Sequence, residues 1–389
     1  MKTFFSLFFI SFFVALNGQE IQNNEHFDFH FKNLSFIKDN EYFNLIADGY
    51  TLFGDKMDAS ISYSSSKKYK FILGFQALKN FGDNDIDYIQ PVVSLHIYSG
   101  NNHYIFGKLE TENSHFFPAP LYDFERLLNR KSLEYGIQHL FKNKHLQTDT
   151  WLEWEHFIYK GDRQRERLNF GQSISLFIDV NDKIKLNIPI ELFLHHRGGQ
   201  INLRNEENQL NNAMVLMNAG IGFNPEYHSE KNMFGVDFQY FINRLNTDNV
   251  EELHFKKGSA FWLQLKYKSK YFQAQTGYWK SHRFVSAKGD DMYQTYSRRT
   301  EIYLDHNNQT IPVFSSYTEP NRSLLTFQLS YHRKLFENLL LDTRFNGYFQ
   351  LNSSEINVPA YHFVVEDNHF DYSIGLYLTF LLDKNLSKN

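Results

Sequence analysis

The chain has 389 residues, no cysteine and a formal net charge of −4. The lack of cysteine excludes disulfides and thiolate metal sites, and the small net charge gives no indication of nucleic-acid binding. It contains 40 Phe and 24 Tyr, yet its mean hydropathy is only −0.49. A soluble core with so many aromatic residues would normally also be rich in Ala, Val and Leu. This composition instead favours a polar-lined membrane barrel with an aromatic, lipid-facing surface.

Residues 1–18 have the features of a secretory signal peptide. Lys2 is followed by the apolar run FFSLFFISFFVAL and then by small or turn-forming residues. We expect cleavage after Gly18. Residues 19–40 are polar and are predicted to form a periplasmic lead-in to a barrel domain over residues 41–389.

From residue 41 onwards, short segments alternate between apolar and polar residues, which is the side-chain period of a β-strand. In residues 183–194, Ile184 and Leu186 begin an apolar face, and Lys183 and Lys185 begin a polar one. The pattern predicts an all-β, antiparallel transmembrane β-barrel of about 16 strands, within a range of about 14–18. The predicted strands are 41–53, 57–64, 68–78, 90–99, 102–109, 132–141, 145–159, 165–179, 183–195, 213–224, 231–243, 257–268, 270–281, 321–334, 338–350 and 369–381.

The connections between these strands alternate between short and long. Bacterial outer-membrane barrels have short periplasmic turns and longer outside loops, so both chain ends are predicted on the periplasmic side. Gly54–Lys56 and Lys160–Gln164 are tight connections that fall on the long side. The alternation requires an even number of strands.

The last predicted strand, DYSIGLYLTF, carries Tyr372, Ile374 and Phe380 on one face. It resembles the C-terminal strand of outer-membrane β-barrel proteins, whose final aromatic residue is read by the insertion machinery. Here Leu381–Asn389 follow that aromatic residue. The composition is similar to that of porin-like barrels of the Bacteroidota. The resemblance implies the outer membrane of a Gram-negative bacterium, with its lipid and lipopolysaccharide as partners and a homotrimer as one option.

Strands 7 and 8 are predicted to pair so that their polar faces coincide. Residue 155 would then lie opposite residue 169, with Glu155 within diagonal reach of Arg167. One interpretation is a transverse field that orients polar solutes, and the other is charge compensation within a barrel wall. The predicted pore-lining residues are Glu153, Glu155, Arg165, Arg167, Lys183, Lys185, Asp342 and Arg344.

Loop 110–131 is the third outside loop. In sixteen-stranded porins the third outside loop folds into the barrel and narrows it, and the resemblance here is one of position and length. Pro118 and Pro120 stiffen the loop. The residues predicted to line a constriction are Glu112, His115, Asp123 and Arg126. The alternative is an external flap over the mouth of the barrel.

These features predict a porin-like channel or transporter for small polar solutes, without a cofactor or metal. One alternative is a conduit or surface component for polymer export, such as polysaccharide export. Another is a lipid-modifying hydrolase, for which His139 or His156 would have to act with a nearby Ser or Asn. His156 is expected to face Leu168, and the sequence has no GxSxG motif. We therefore expect no catalytic residues and no enzymatic activity.

Overall fold

The computed structural model describes residues 25–128, 132–159, 162, 164–198, 214–247, 255–304, 310–353 and 370–387. The predicted signal peptide, residues 1–18, lies outside the described residues. Sixteen strands form a closed antiparallel barrel. The predicted fold class and strand number are therefore confirmed.

Two further strands, β14 and β15, form a separate hairpin within the loop after β13. Among the helices of the described part, none is long and apolar enough to cross a bilayer. The strands are β1 (His26–Glu41), β2 (Tyr50–Ser65), β3 (Tyr69–Asn80), β4 (Tyr88–Ser99), β5 (Asn102–Lys108), β6 (Tyr135–Lys142), β7 (Leu146–His156), β8 (Arg167–Asp179), β9 (Ile184–Arg197), β10 (Met214–His228), β11 (Met233–Thr247), β12 (Lys257–Lys268), β13 (Phe272–His282), β14 (Tyr296–Leu304), β15 (Thr310–Thr318), β16 (Asn321–Phe336), β17 (Leu339–Ser353) and β18 (Phe370–Asn385). Short 3-10 helices span Ser114–Phe116, Phe124–Leu128 and Asp291–Tyr293.

The first strand lies mostly in the segment predicted as a periplasmic lead-in. Strand β1 begins at His26 and pairs with β18 from Asp28 to Glu41, which closes the barrel. Its sequence HFDFHFK already alternates between aromatic and polar residues. The predicted barrel start at residue 41 was therefore too late, because this aromatic alternation was taken for a polar lead-in.

The second correction concerns the predicted tight connection Gly54–Lys56. Strand β2 runs through it from Tyr50 to Ser65, and the connection between β1 and β2 is residues 42–49. A Cβ atom on Gly54 would lie 2.5 Å from the carbonyl oxygen of Lys79. The glycine therefore allows a close approach between strands rather than a turn.

The two ends of the barrel differ in their connections. Short turns lie at the end that holds the start of β1 and the end of β18, which identifies this end as periplasmic. Strand β18 continues through Leu381–Asn385, so the residues after Phe380 extend the last strand.

Strand β11 shows how the wall separates lipid from lumen. Exposed and buried residues alternate along its whole length. Phe234, Phe238 and Tyr240 are exposed on the outside, whereas Asp237 and Gln239 are buried in the lumen. An apolar outer face with a polar inner face is the pattern of a membrane barrel.

Three outside loops enter the lumen: L1 (residues 42–49), L3 (109–134) and the first part of L7 (283–295). Their apolar side chains form one buried cluster together with side chains of the barrel wall. L3 is thus inside the barrel, and the three loops together form what we call the luminal plug. The clustered residues are Ala47 of L1, Leu109, Phe117, Leu121 and Tyr122 of L3, Phe284, Met292 and Tyr293 of L7, and Trp151, Phe193, Phe241, Ala260, Trp262, Trp279, Leu324 and Tyr348 of the wall.

Candidate functional site

His115 of L3 is the centre of a buried charged network. Its Nδ1 lies 2.9 Å from Asp149 Oδ2 and its Nε2 lies 3.0 Å from Glu134 Oε2. The ring stacks on Trp151 with 3.8 Å between centroids. Burial opposes the charged form of His115, but its hydrogen bonds with Asp149 and Glu134 raise its pKa above the usual value. The two carboxylates on either side of His115 therefore favour its protonated form.

The backbone around His115 is strained. Ser114, His115 and Phe116 have φ angles of 52°, 55° and 60°, a left-handed conformation that costs non-glycine residues about 1–3 kcal/mol each. Such a conformation persists only where the surroundings fix it. The ion pairs and stacking of His115 provide that constraint, so this turn anchors L3 to β7.

A second part of the network connects L7 to the same wall. Lys288 Nζ lies 2.6 Å from Glu153 Oε2, and Arg167 Nε lies 3.2 Å from Glu155 Oε1. Asn169 donates to Glu153 at 2.8 Å and to Glu155 at 2.9 Å. Two of the predicted pore-lining residues thus contact each other, and a third is bonded to the plug.

The register between β7 and β8 differs from the predicted one. Glu153, rather than residue 155, lies opposite Asn169, and His156 lies opposite Arg167 rather than Leu168. An irregularity between Trp154 and His156 shifts the pairing. Alternation alone does not reveal such a bulge.

L3 and L7 contribute an acidic cluster on the side of the lumen formed by β1. Glu125 pairs with Lys38 and accepts a hydrogen bond from Asn40 at 3.0 Å. Burial and the neighbouring carboxylates raise the pKa of Asp123 to about 7. Burial also raises the pKa of Asp290 to about 6. These groups border a cavity of about 320 Å³.

Some of the other predicted site residues join these contacts, and others lie apart from them. Lys183 and Lys185 are exposed at the periplasmic end of β9. Asp342 and Arg344 pair at 2.6 Å and border the 320 Å³ cavity. In L3, Glu112 pairs with Lys32 at 2.6 Å, and Arg126 pairs with Glu134 at 3.1 Å. Arg165 precedes β8.

Sequence reasoning missed a group of polar residues on the outer face of β1 and β2. Asn33, Ser35 and Asp55 lie in register with apolar outward residues: Asn33 opposite Phe380 and Met57, and Ser35 opposite Leu378. We call these three residues the lipid-facing patch. Asn33 Nδ2 donates to Ser35 Oγ at 3.2 Å and to Asp55 Oδ1 at 3.3 Å. Ser35 lies directly opposite Asp55, so the three polar groups converge.

Ser35 and Asp55 lie in the extracellular half of β1 and β2, and Asn33 lies at the middle of β1. Asp55 is two residues below Phe53, which packs edge to face on Phe81 of the outside loop at 4.7 Å. At the usual rise and tilt of barrel strands, two residues correspond to a depth of about 5 Å. Closer to the surface, Thr51 donates to Asp39 at 2.5 Å. Polar groups facing lipid are costly and therefore usually functional.

The two histidines considered for a hydrolase site, His139 and His156, do not form a Ser–His–Asp group with other described residues. His139 faces outward near the periplasmic end, 3.0 Å from Asn102 Oδ1 and stacked on Tyr104. A different histidine has triad geometry: His30 Nε2 lies 2.9 Å from Ser62 Oγ, and His30 Nδ1 lies 2.6 Å from Asp383 Oδ1. This Ser–His–Asp group is inside the lumen at the periplasmic end, and Ser62 is fully buried.

Comparison with known proteins gives one family match. The profile of a family described as lipid A 3′-O-deacylase-type matches residues 19–389. No curated protein matches. Among solved structures, in-vitro folded OmpT of Vibrio cholerae has a TM-score of 0.49 at 9% identity, covering 94% of this chain and 100% of that chain. The anion-selective porin from Comamonas acidovorans has a TM-score of 0.49 at 6% identity, covering 92% and 100%. For OprD of Pseudomonas aeruginosa the values are 0.44 and 8%, covering 94% and 97%.

Proposed function

The chain belongs to the lipid A 3′-O-deacylase-type family, and on this premise we propose that it is an outer-membrane hydrolase that removes an ester-linked acyl chain from lipid A. The prediction of an outer-membrane barrel in a Gram-negative bacterium is confirmed by the same match. The prediction that the protein is not an enzyme is wrong, because the matched family is one of enzymes. The hydrolase, named in the sequence analysis only as an alternative, is therefore better supported than the porin.

The observation that carries the proposal is the lipid-facing patch. An enzyme acting on a membrane lipid needs polar groups that the lipid reaches from within the bilayer. Asn33, Ser35 and Asp55 face the membrane, and Asp55 lies just below the Phe53–Phe81 contact near the outer end of the wall. Acyl esters lie at this boundary between headgroups and hydrocarbon, so the patch is at the depth of the bond to be cleaved.

The chemistry follows from the hydrogen bonds within the patch. Asp55 is placed to act as general base, accepting a proton from the attacking hydroxyl of Ser35 or of a water molecule. The Asn33 amide, which contacts both groups, is a donor for the negative charge that develops on the carbonyl oxygen. The attacking oxygen bonds to the carbonyl carbon, the ester C–O bond breaks, and the sugar oxygen leaves with the proton that Asp55 accepted. If Ser35 is the nucleophile, a water molecule deprotonated by Asp55 then hydrolyses the acyl-serine ester and releases the fatty acid.

The luminal triad of His30, Ser62 and Asp383 is the competing centre. Its hydrogen-bond geometry suits ester hydrolysis. However, it lies inside the lumen near the periplasmic turns, whereas lipid A occupies the outer leaflet. Location therefore favours the lipid-facing patch over the triad for this substrate.

The luminal plug supports an enzyme rather than a diffusion channel. Fully buried aromatic side chains of L3 and L7 meet those of the wall in the middle of the barrel. In sixteen-stranded porins the third outside loop alone narrows the barrel, whereas here L1 and L7 pack together with L3. This packing gives a surface enzyme a rigid scaffold for groups on its outer wall.

The test is deacylation by the folded protein in vesicles that contain lipid A. We expect release of one free fatty acid and the matching loss of mass from lipid A, measured by mass spectrometry. Heat-unfolded protein is the control for contaminating hydrolases, and phospholipid-only vesicles test the choice of substrate. Intact lipid A after incubation with barrel that shows heat-modifiable gel mobility would overturn the proposal. Steady current steps from the same sample would instead support a porin function.

A further inference from the structure

A second group of ionisable side chains lies far from the lipid-facing patch, on the inner wall formed by β4 and β5. His96 Nδ1 lies 2.9 Å from His103 Nε2 and 3.9 Å from Glu110 Oε1. One ligand atom from each residue lies within 4.8 Å of the other two. This is the only such group of three or more metal-ligating side chains within the described ranges.

The strands bring these residues together by register. His96 and Tyr98 are successive inward residues of β4, and Tyr98 lies opposite His103 of β5. The Tyr98 ring stacks on His103 at 4.2 Å. Glu110 follows β5 at the base of L3, where its backbone N–H donates to Gln138 at 2.8 Å. Each ligand-bearing element is therefore fixed by its neighbours.

We propose that His96, His103 and Glu110 form a binding site for a divalent transition metal, and that zinc suits it best. Two imidazole nitrogens and one carboxylate, with a fourth open position, are a ligand set that tetrahedral zinc accepts. Ligand atoms around tetrahedral zinc lie about 3.3 Å apart. The distances from His96 Nδ1 to His103 and to Glu110, 2.9 and 3.9 Å, bracket this value, and His103 and Glu110 offer ligand atoms within 4.8 Å of each other. Rotations of the side chains would therefore be enough to place the three atoms around one ion.

Ser94 completes the arrangement as an outer partner. Its Oγ lies 2.9 Å from His96 Nε2. When His96 donates its Nε2–H to Ser94, the lone pair on Nδ1 faces His103 and Glu110. Metal-bound histidines usually donate their second nitrogen in this way, which fixes the ring and its tautomer.

The site opens on a cavity of about 420 Å³ in the periplasmic half of the barrel. His96 and Glu110 border this cavity, together with Lys70 and Lys108. The two lysines make water or an anion the preferred fourth ligand. The site does not depend on the proposed deacylase function, because it lies inside the barrel and near the opposite membrane surface.

Zinc binding to the purified, refolded barrel tests the site. Calorimetric titration should show one zinc ion per chain. Cobalt in place of zinc should give the intense visible absorption of a tetrahedral complex. His103→Ala should weaken binding by more than the about 10–100-fold that loss of an outer partner costs, and Ser94→Ala should fall within that range.

His139→Ala is the matched control, because His139 lies on the adjacent strand β6 but faces the membrane. It should bind zinc as the wild type does. Heat-modifiable gel mobility establishes that each variant is folded. Absence of stoichiometric binding by the folded wild type would mean that the two histidines only share a hydrogen bond. Equal affinity in wild type and His103→Ala would place the metal elsewhere. Either result overturns the proposal.

Discussion

Charged groups in the lumen and on the outer face of β1 and β2 have different kinds of partner. In the lumen, Glu153 is paired with Lys288, and His115 lies between two carboxylates. On the outer face, Asp55 contacts the neutral amide of Asn33. Lys79 lies opposite Asp55 in register, but its Nζ donates to the carbonyls of Asp83 and Asp85.

This difference indicates that the luminal ion pairs stabilise the fold and that the outer carboxylate is available for catalysis. Charges that satisfy one another have little left to offer a substrate, and here they hold L3 and L7 in place. A carboxylate placed at the membrane surface with a weak partner is costly to keep and is available to act as a base. The comparison predicts that luminal substitutions lower stability, whereas substitutions in the lipid-facing patch lower activity.

Asp55→Asn gives the largest expected effect. Loss of the general base should reduce lipid A deacylation by about 100–10,000-fold, while heat-modifiable mobility is unchanged. The matched control is Ser62→Ala in the luminal triad, which should retain activity. Fatty-acid release measured by mass spectrometry separates the two centres. The opposite result, an inactive Ser62→Ala beside an active Asp55→Asn, would move the chemistry into the lumen.

His115→Ala tests the other side of the comparison. It removes the partner that Asp149 and Glu134 share in a buried site, which should cost about 3–5 kcal/mol in free energy of unfolding. Urea titration of the folded barrel in lipid measures this loss. The variant that remains folded should still deacylate lipid A. His139→Ala, outside the network, should change the stability little. If His115→Ala were as stable as the wild type, the network would not anchor the plug.

Deletion of residues 112–128 removes most of L3. Single-channel conductance should rise in planar bilayers, because the loop occupies the lumen between β1 and β7. The intact protein provides the baseline. Unchanged conductance would mean that L1 and L7 fill the lumen without L3.

The last expected effect is the pH dependence of the stability of the plug. Asp123 and Asp290 have pKa values raised to about 7 and about 6, so the folded state binds more protons than the unfolded state above their ordinary value of 3.8. The free energy of unfolding should therefore fall as the pH rises from about 4 to 7. The raised pKa of His115 acts in the same direction, because its stabilisation is lost as pH rises through the folded value. Urea midpoints at pH 5 and pH 8 measure this, and Asp123→Asn should flatten the difference. A higher midpoint at pH 8 would contradict it.

Much of the barrel could be predicted from the local sequence pattern. Alternation identified strands such as β12 at their observed bounds, 257–268, because a strand with lipid on one side and water on the other must alternate. Loop lengths then fixed the orientation. The first strand was missed because His26–Glu41 mixes aromatic and polar residues, and its partner β18 lies at the other end of the chain.

The His115 network and the lipid-facing patch are formed by residues that are far apart in the sequence. The sequence alone determined the membrane barrel and the polar and apolar faces of most strands, since these depend on residues close in the chain. The predicted number of strands agreed because the missed β1 was offset by the division of β2 into two predicted strands. Only the tertiary structure decided that His115 is buried between Glu134 and Asp149, and that Asn33 and Ser35 meet Asp55 on the membrane side. The physical reason is register. A bulge or a shift of one residue reverses the face on which a side chain lies, and closure of the barrel fixes that register.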